Sequence, residues 1–141
     1  MLGFDFDGVI VSDTYFAPTE RNAGVIHPVR DRMRPLFIPS GEYFILTSRF
    51  DISREHTCAF INAHMSNNLP AFVCHERNPQ ERDFEYKIRC LAELSARGVV
   101  IDAYVESDLV TVHRLKEALP NLNVVHFSDF VVEKLKCLQP S

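Results

Sequence analysis

The sequence contains no tryptophan, only five glycines, and no apolar run longer than four residues, such as Tyr43-Phe44-Ile45-Leu46. A membrane-spanning helix needs about 20 apolar residues and a secretory signal core about 7–15. A soluble, cytoplasmic protein that makes no use of a membrane is therefore expected. Basic excess is also missing: 15 Lys and Arg stand against 19 Asp and Glu, a net charge of −4. That balance argues against a generic nucleic-acid coat and leaves only a local basic patch open. No Cys-x-x-Cys pair exists among Cys58, Cys74, Cys90 and Cys137, which leaves a structural zinc site without support. With 46% hydrophobic residues the chain does not need a disulfide framework, and the cysteines are expected as buried thiols in a reducing compartment. The Gly-x-x-x-x-Gly-Lys of a P-loop is absent as well.

What the chain does have is alternation within 141 residues, the length of one ordinary domain. Short runs rich in β-branched and aromatic residues recur at Leu2–Phe6, Tyr43–Thr47, Ala71–Cys74, Ala103–Glu106 (led in by Val99–Ile101) and Asn123–His126. Such runs suit strands buried on both faces. Helical periodicity fills the gaps. One helix is expected from about Asp83 to Arg97, with Phe84, Ile88, Leu91 and Ser95 on its apolar face and Gly98 closing it. Another follows Asp108 with Val112, Leu115 and Leu119, and stops at Pro120. A third follows Asp51 with Ala59, Phe60 and Ala63; the last carries Val131, Leu135 and Leu138, with Ser128 as its N-cap. A helix is also expected between Pro28 and Ile38, either short or starting near Pro35, because an interior proline costs about 3 kcal/mol. The pattern predicts an α/β fold: a single three-layer Rossmann-like domain whose five-stranded parallel sheet has helices on both faces. Ligands of such folds sit at the carboxyl ends of the strands, where chain order reverses.

The strand ends carry chemistry. The first ends in Asp5-Phe6-Asp7-Gly8, which puts two carboxylates on one side of an extended chain. A cation or a proton resolves their repulsion; a plain polar turn is the bland alternative. The second ends in Thr47-Ser48-Arg49, whose hydroxyls can hold a phosphate oxygen or cap a helix. Lys87 lies on the shoulder of its helix, free either to snorkel outward or to reach over the sheet end toward an anion. The fourth ends in Glu106-Ser107-Asp108, where Glu106 shares a surface with Asp5 and Asp7 while Ser107 or Asp108 can cap the next helix.

In this order, Leu2 to Ile10, Phe44 to Arg49, Lys87 and Tyr104 to Asp108 resemble the four motifs of the haloacid dehalogenase (HAD) superfamily of phosphotransferases. The resemblance spans nearly the whole chain and implies the sheet order 3-2-1-4-5. It further implies that Asp5 is a nucleophile that becomes an aspartyl-phosphate. Asp7 would protonate the leaving group and then activate water. Thr47 and Lys87 would hold the phosphate charge, and Phe6, Ser48 and Arg49 would line the substrate. Mg²⁺ would be held by Asp5, Asp7 and the fourth-motif acids Glu106 and Asp108. That motif departs from the usual Asp pair or Gly-Asp, so Glu106 can ligate directly or through water. The chemistry is coherent, because a carboxylate attacking a phosphate dianion needs a metal and a lysine against charge repulsion.

The spacings of 40 residues from Asp7 to Thr47 and from Thr47 to Lys87 leave no room for a cap domain. A flap hairpin in the loop Val11 to His27 is the largest available cover. An open site suits a phosphorylated small molecule or polymer end, with Arg30, Arg32, Arg34, Arg49, Arg77 and Arg82 as candidate contacts to a further phosphate or a nucleic-acid backbone. The expected function is thus a Mg²⁺-dependent phosphatase, a hydrolase acting on phosphate monoesters. The alternative is a non-catalytic phosphate- or nucleotide-binding module on the same fold. No role is expected for the six histidines.

Overall fold

The computed structural model describes residues 1–12 and 34–138. Most of the Val11–His27 loop, the candidate contacts Arg30 and Arg32, and the first part of the helix expected near Pro35 lie outside the described residues; from Arg34 to Ser40 the backbone is not helical. The elements are β1 (Leu2–Asp5), β2 (Tyr43–Leu46), a 3-10 turn (Asp51–Ser53) that runs into α1 (Arg54–His64), β3 (Val73–Cys74), α2 (Asp83–Ala96), β4 (Ala103–Glu106), α3 (Leu109–Ala118), β5 (Val124–His126) and α4 (Phe127–Leu138). All strand pairs are parallel, and the order is β3-β2-β1-β4-β5. β1 is central, with Leu2 in register with Tyr43 on one side and Ala103 on the other. The chain order reverses beside it, which is where an open α/β sheet forms its crevice. Among the described residues no helix is long and apolar enough to cross a membrane.

Strand alternation sorts the core into two layers. Phe4, Ile45 and Val105 face one side, where Phe60 and Ile61 of α1 and Phe127 and Phe130 of α4 pack. Phe44, Leu46, Tyr104 and Val124 face the other, against Tyr86, Leu91 and Leu94 of α2 and Val112 and Leu115 of α3. Asp5 and Glu106 alternate with Phe4 and Val105, and their side chains accordingly leave the sheet on the α2 side. This placement decides the chemistry described below.

Several expected details are different. The buried stripe of α2 is Tyr86, Lys87, Cys90, Leu91 and Leu94 rather than one centred on Phe84, Ile88 and Ser95. The helix is rotated because Lys87 is drawn inward, while half-buried Phe84 lies under the Arg114 guanidinium at 4.0 Å. Gly98 closes α2 with φ 88°, and Val99 then bonds back to the Leu94 carbonyl instead of leading into β4. α4 begins at Phe127, one residue before the expected cap Ser128. Phe127 and Phe130 carry its packing, whereas Leu135 and Leu138 are exposed. The cysteines are free thiols, but only Cys90 is buried; Cys58 and Cys137 are exposed and Cys74 is intermediate.

One glycine is required by packing. The ring of Phe44 lies over Gly3, its register partner, and a Cβ at that position would overlap the ring. Phe44 cannot yield easily, since it is fully buried and stacked on Phe72 at 5.0 Å. Gly3→Ala is expected to lower stability by about 1–3 kcal/mol, the usual cost of overpacking, without changing the fold. Urea unfolding checks this: a midpoint equal to that of the wild type would contradict the close approach.

Candidate active site

Three charged side chains meet beneath the carboxyl end of β1. Asp5 ends β1, Glu106 ends β4, and Lys87 rises from the second turn of α2. Lys87 Nζ donates to Asp5 Oδ1 at 3.2 Å and to the two Glu106 oxygens at 2.6 and 3.1 Å. Asp83, one helical turn earlier, faces the same ammonium at 3.5 Å. Asp5 is 5% exposed, Lys87 2% and Glu106 0%. A lysine with two carboxylates in such a place leaves one excess negative charge. Burial alone would push the Asp5 carboxyl up, but the Lys87 charge and the hydrogen bonds around it hold it below the ordinary carboxylate range. Burial, and then the charge of Asp5, push Glu106 well above its ordinary range despite Lys87. Burial opposes the charge on Lys87, yet the two acids hold it well above the usual lysine range. The surroundings therefore favour the ionised form of Asp5 and the protonated form of Glu106, although Lys87 lies closer to Glu106 than to Asp5.

Asp7 belongs to a second charged group. After β1 the chain turns at Gly8, φ 87°. The Asp7 carboxylate meets Arg49, whose Nε donates at 3.2 and 3.0 Å and whose Nη2 donates at 2.8 Å. Arg49 is 1% exposed and lies over the Phe6 ring at 4.6 Å. Its Nη1 donates to Thr57 Oγ1 at 2.9 Å, and the same oxygen lies 3.2 Å from His75 Nε2. Phe6 is fully buried and forms the floor beneath Arg49. Thr47, also fully buried, accepts the Arg49 backbone N–H at 3.2 Å. Among the described residues its hydroxyl donates to none.

Ser107 joins the two groups. Its hydroxyl lies 2.8 Å from Asp5 Oδ2 and 3.0 Å from the main-chain oxygen of Asp7. His126 holds this turn. The Ser128 N–H donates to His126 Nδ1 at 3.2 Å, so the imidazole proton resides on Nε2 and donates to the Ser107 carbonyl at 2.9 Å.

Asp5, Asp7, Thr47 and Lys87 are thus brought to one strand end, and Phe6 and Arg49 lie against them. Several expected ligands are placed elsewhere. Glu106 is taken up by Lys87. Asp108 is exposed and caps α3, accepting the Thr111 N–H at 3.2 Å and the Thr111 hydroxyl at 2.7 Å. Ser48 donates to Asp83. Among the described residues no group of three or more His, Cys, Asp or Glu side chains is placed to hold a metal. The oxygens that do converge are one carboxylate oxygen of Asp5, the Asp7 carbonyl and the Ser107 hydroxyl. All are hard donors of the kind magnesium accepts, and that ion keeps several waters and takes few carboxylates. The donor set fits the ion in kind, with a single side-chain carboxylate.

Of the expected arginine contacts, Arg49 and Arg77 are engaged within the protein, whereas Arg82 is exposed. Arg49 is buried. Arg77 stacks on Phe50 at 4.5 Å and donates to the carbonyls of Ser48 and Glu81. Arg82 faces Glu85 at 4.0 Å. Arg34 is exposed. Conversely, Thr57, His75 and His126 carry structural weight that no local motif announced, since lone histidines have no spacing to reveal their partners.

Compared with family models, with curated proteins and with solved structures, the chain has no match.

The Glu106 carboxyl makes stability depend on pH. An acid held above its unfolded value of 4.5 binds more protons when folded, so its contribution falls as pH rises from there through the folded value. Asp5 acts oppositely, but only below its unfolded value of 3.8. The stability of the wild type relative to Glu106→Gln is therefore expected to decline between about pH 5 and about pH 8. Urea unfolding of both proteins at both pH values measures it; a constant or rising difference would contradict a protonated Glu106.

Proposed function

We propose that the protein is a phosphatase of the HAD type, hydrolysing a phosphate monoester through an aspartyl-phosphate on Asp5. The observation that carries this reading is the buried Asp5–Lys87 pair at the carboxyl end of the central strand. Burying a lysine between two acids is costly, and structure alone rarely repays it. A carboxylate kept ionised beside a fixed cation is what attack on a phosphate dianion requires.

An oxygen of Asp5 bonds to phosphorus as the ester P–O bond breaks, and the leaving oxygen takes a proton from Asp7, which enters this step as the carboxylic acid and regains the proton from water in the next. Water then adds to phosphorus, giving its proton to Asp7, and the bond to Asp5 breaks to release inorganic phosphate. Lys87 and the Thr47 hydroxyl stabilise charge on the phosphoryl oxygens. Arg49 fixes the direction of Asp7, and Phe6 supports Arg49. Asp5 and the Asp7 carbonyl, with Ser107 beside them, would hold a magnesium ion. When bound, that ion withdraws negative charge from the phosphate oxygens.

Because Arg49 and Arg77 are engaged within the protein and Arg82 alone of the three is exposed, the reading requires no second phosphate on the substrate; a nucleotide or a nucleic-acid end remains one class among phosphate monoesters. A non-catalytic phosphate-binding module is the second reading. It is favoured by one observation, that among the described residues Asp5 alone supplies a carboxylate to the Ser107 corner.

Asp5→Asn is expected to remain folded and to lose phosphate release by on the order of 10³-fold or more. The assay is phosphate release from a panel of monoesters with Mg²⁺ and with chelator. Undiminished release by folded Asp5→Asn would overturn the mechanism. A wild type that releases nothing, yet binds inorganic phosphate in a Lys87-dependent way, would establish the binding module instead.

A further inference from the structure

The group behind Asp7 has a defined proton arrangement. Thr57, fully buried in the first turn of α1, donates its only hydroxyl hydrogen to the Ser53 carbonyl at 3.0 Å. Its oxygen is therefore an acceptor toward both other neighbours, Arg49 Nη1 at 2.9 Å and His75 Nε2 at 3.2 Å. The proton of neutral His75 must accordingly lie on Nε2. His75 is 1% exposed, and its Nδ1 is buried with no hydrogen-bond partner. A proton there would be an unsatisfied buried donor. Burial pushes the imidazole down, its own backbone carbonyl pulls the other way, the charges of Arg54 and Arg49 act with burial, and Asp51 opposes it weakly. Arg54 also donates to the His75 carbonyl at 2.8 Å, which fixes the residue just beyond β3.

We propose that His75 and Thr57 are positioning residues for Asp7, acting through Arg49. A guanidinium in the interior can rotate about its long side chain unless each edge is held. The Nε and Nη2 edge holds Asp7, and Thr57 holds Nη1. His75, as an Nε2–H donor, fixes the lone pair of Thr57 that remains for Arg49. The end of β3 is thereby connected to the acid/base at the end of β1, two strands away. This inference rests on the phosphatase reading for its kinetic consequence and on geometry alone for its structural one.

Two measurements separate these. In ¹⁵N-labelled full-length protein, His75 is expected as the Nε2–H tautomer, and the Arg49 Nε–H signal as a sharp, protected resonance. His75→Leu should broaden or shift that signal, and His75→Gln, whose amide can donate from a similar position, should restore it. A Nδ1–H tautomer, or an Arg49 signal unchanged in His75→Leu, would overturn the relay whether or not the protein is a phosphatase. In the kinetic arm, His75→Leu should lower kcat about tenfold or more for a poor leaving group, with KM little changed and a smaller loss for a good leaving group. His75→Gln should recover most of it. Equal impairment in the Leu and Gln variants, or none in either, would overturn the positioning role. If His75→Leu does not fold, Thr57→Val with Thr57→Ser as its rescue reads the same signal and the same kcat. A wild type without phosphatase activity would remove the kinetic consequence and leave the resonance test to decide the relay.

Discussion

The two buried acids that end β1 and β4 depend on the charge of Lys87. Without it, Asp5 and Glu106 would be two carboxylates facing one apolar layer, and neither could stay ionised there. With it, Asp5 is held below the ordinary carboxylate range while Glu106 is pushed above it. The direction of this split follows from surroundings. Asp5 accepts the Phe6 N–H at 2.9 Å and the Ser107 hydroxyl, while Glu106, fully enclosed, accepts the Ser107 N–H at 3.1 Å beside its bonds from Lys87. Ion pairs of this kind contribute little net stability, because desolvation consumes most of the attraction, but removal of one partner strands the others. That asymmetry explains why α2 turns Lys87 inward at the expense of its regular apolar stripe.

The second charged pair, Asp7–Arg49, lies on the other side of β1 and obeys a different logic. Asp7 is partly open, with its side chain 20% exposed, while Arg49 is closed in. The buried partner is the one that cannot lose its charge. Phe6 beneath the guanidinium and Thr57 beside it satisfy the cation, so that the open carboxylate is held in direction and still reachable. Ser107 connects the two pairs through Asp5 and the Asp7 carbonyl. The two acids at the end of β1 therefore face different cations, and these come from different elements: Lys87 from α2 and Arg49 from the loop after β2.

The fold was legible from the sequence because parallel strands buried on both faces leave continuous apolar runs, and their crossover helices leave a period near 3.6. Tyr43–Leu46 and Ala103–Glu106 announce themselves in this way. Finer features were not legible. The stripe of α2 cannot be phased from Phe84, Ile88 and Ser95, since a lysine attracted by two acids from distant strands outweighs the hydrophobic preference of one turn. The packing face of α4 is set by Phe127 and Phe130 meeting Phe4 and Phe37, a contact between residues more than 85 positions apart in the chain.

The candidate site divides along the same line. By itself the sequence determined that Asp5, Asp7 and Thr47 stand at strand ends, because β-strand periodicity and the turn residues after each run are local properties. Only the tertiary structure decided which partner each one has: Lys87 for Asp5 and Glu106, Arg49 for Asp7, Thr111 rather than the cluster for Asp108, and His126 for the Ser107 turn. These pairings depend on which side of the sheet each side chain leaves and on which helix covers that side. Charge and hydrogen-bond satisfaction in a buried space are settled by neighbours that the chain brings together from far apart, and no short segment contains that information.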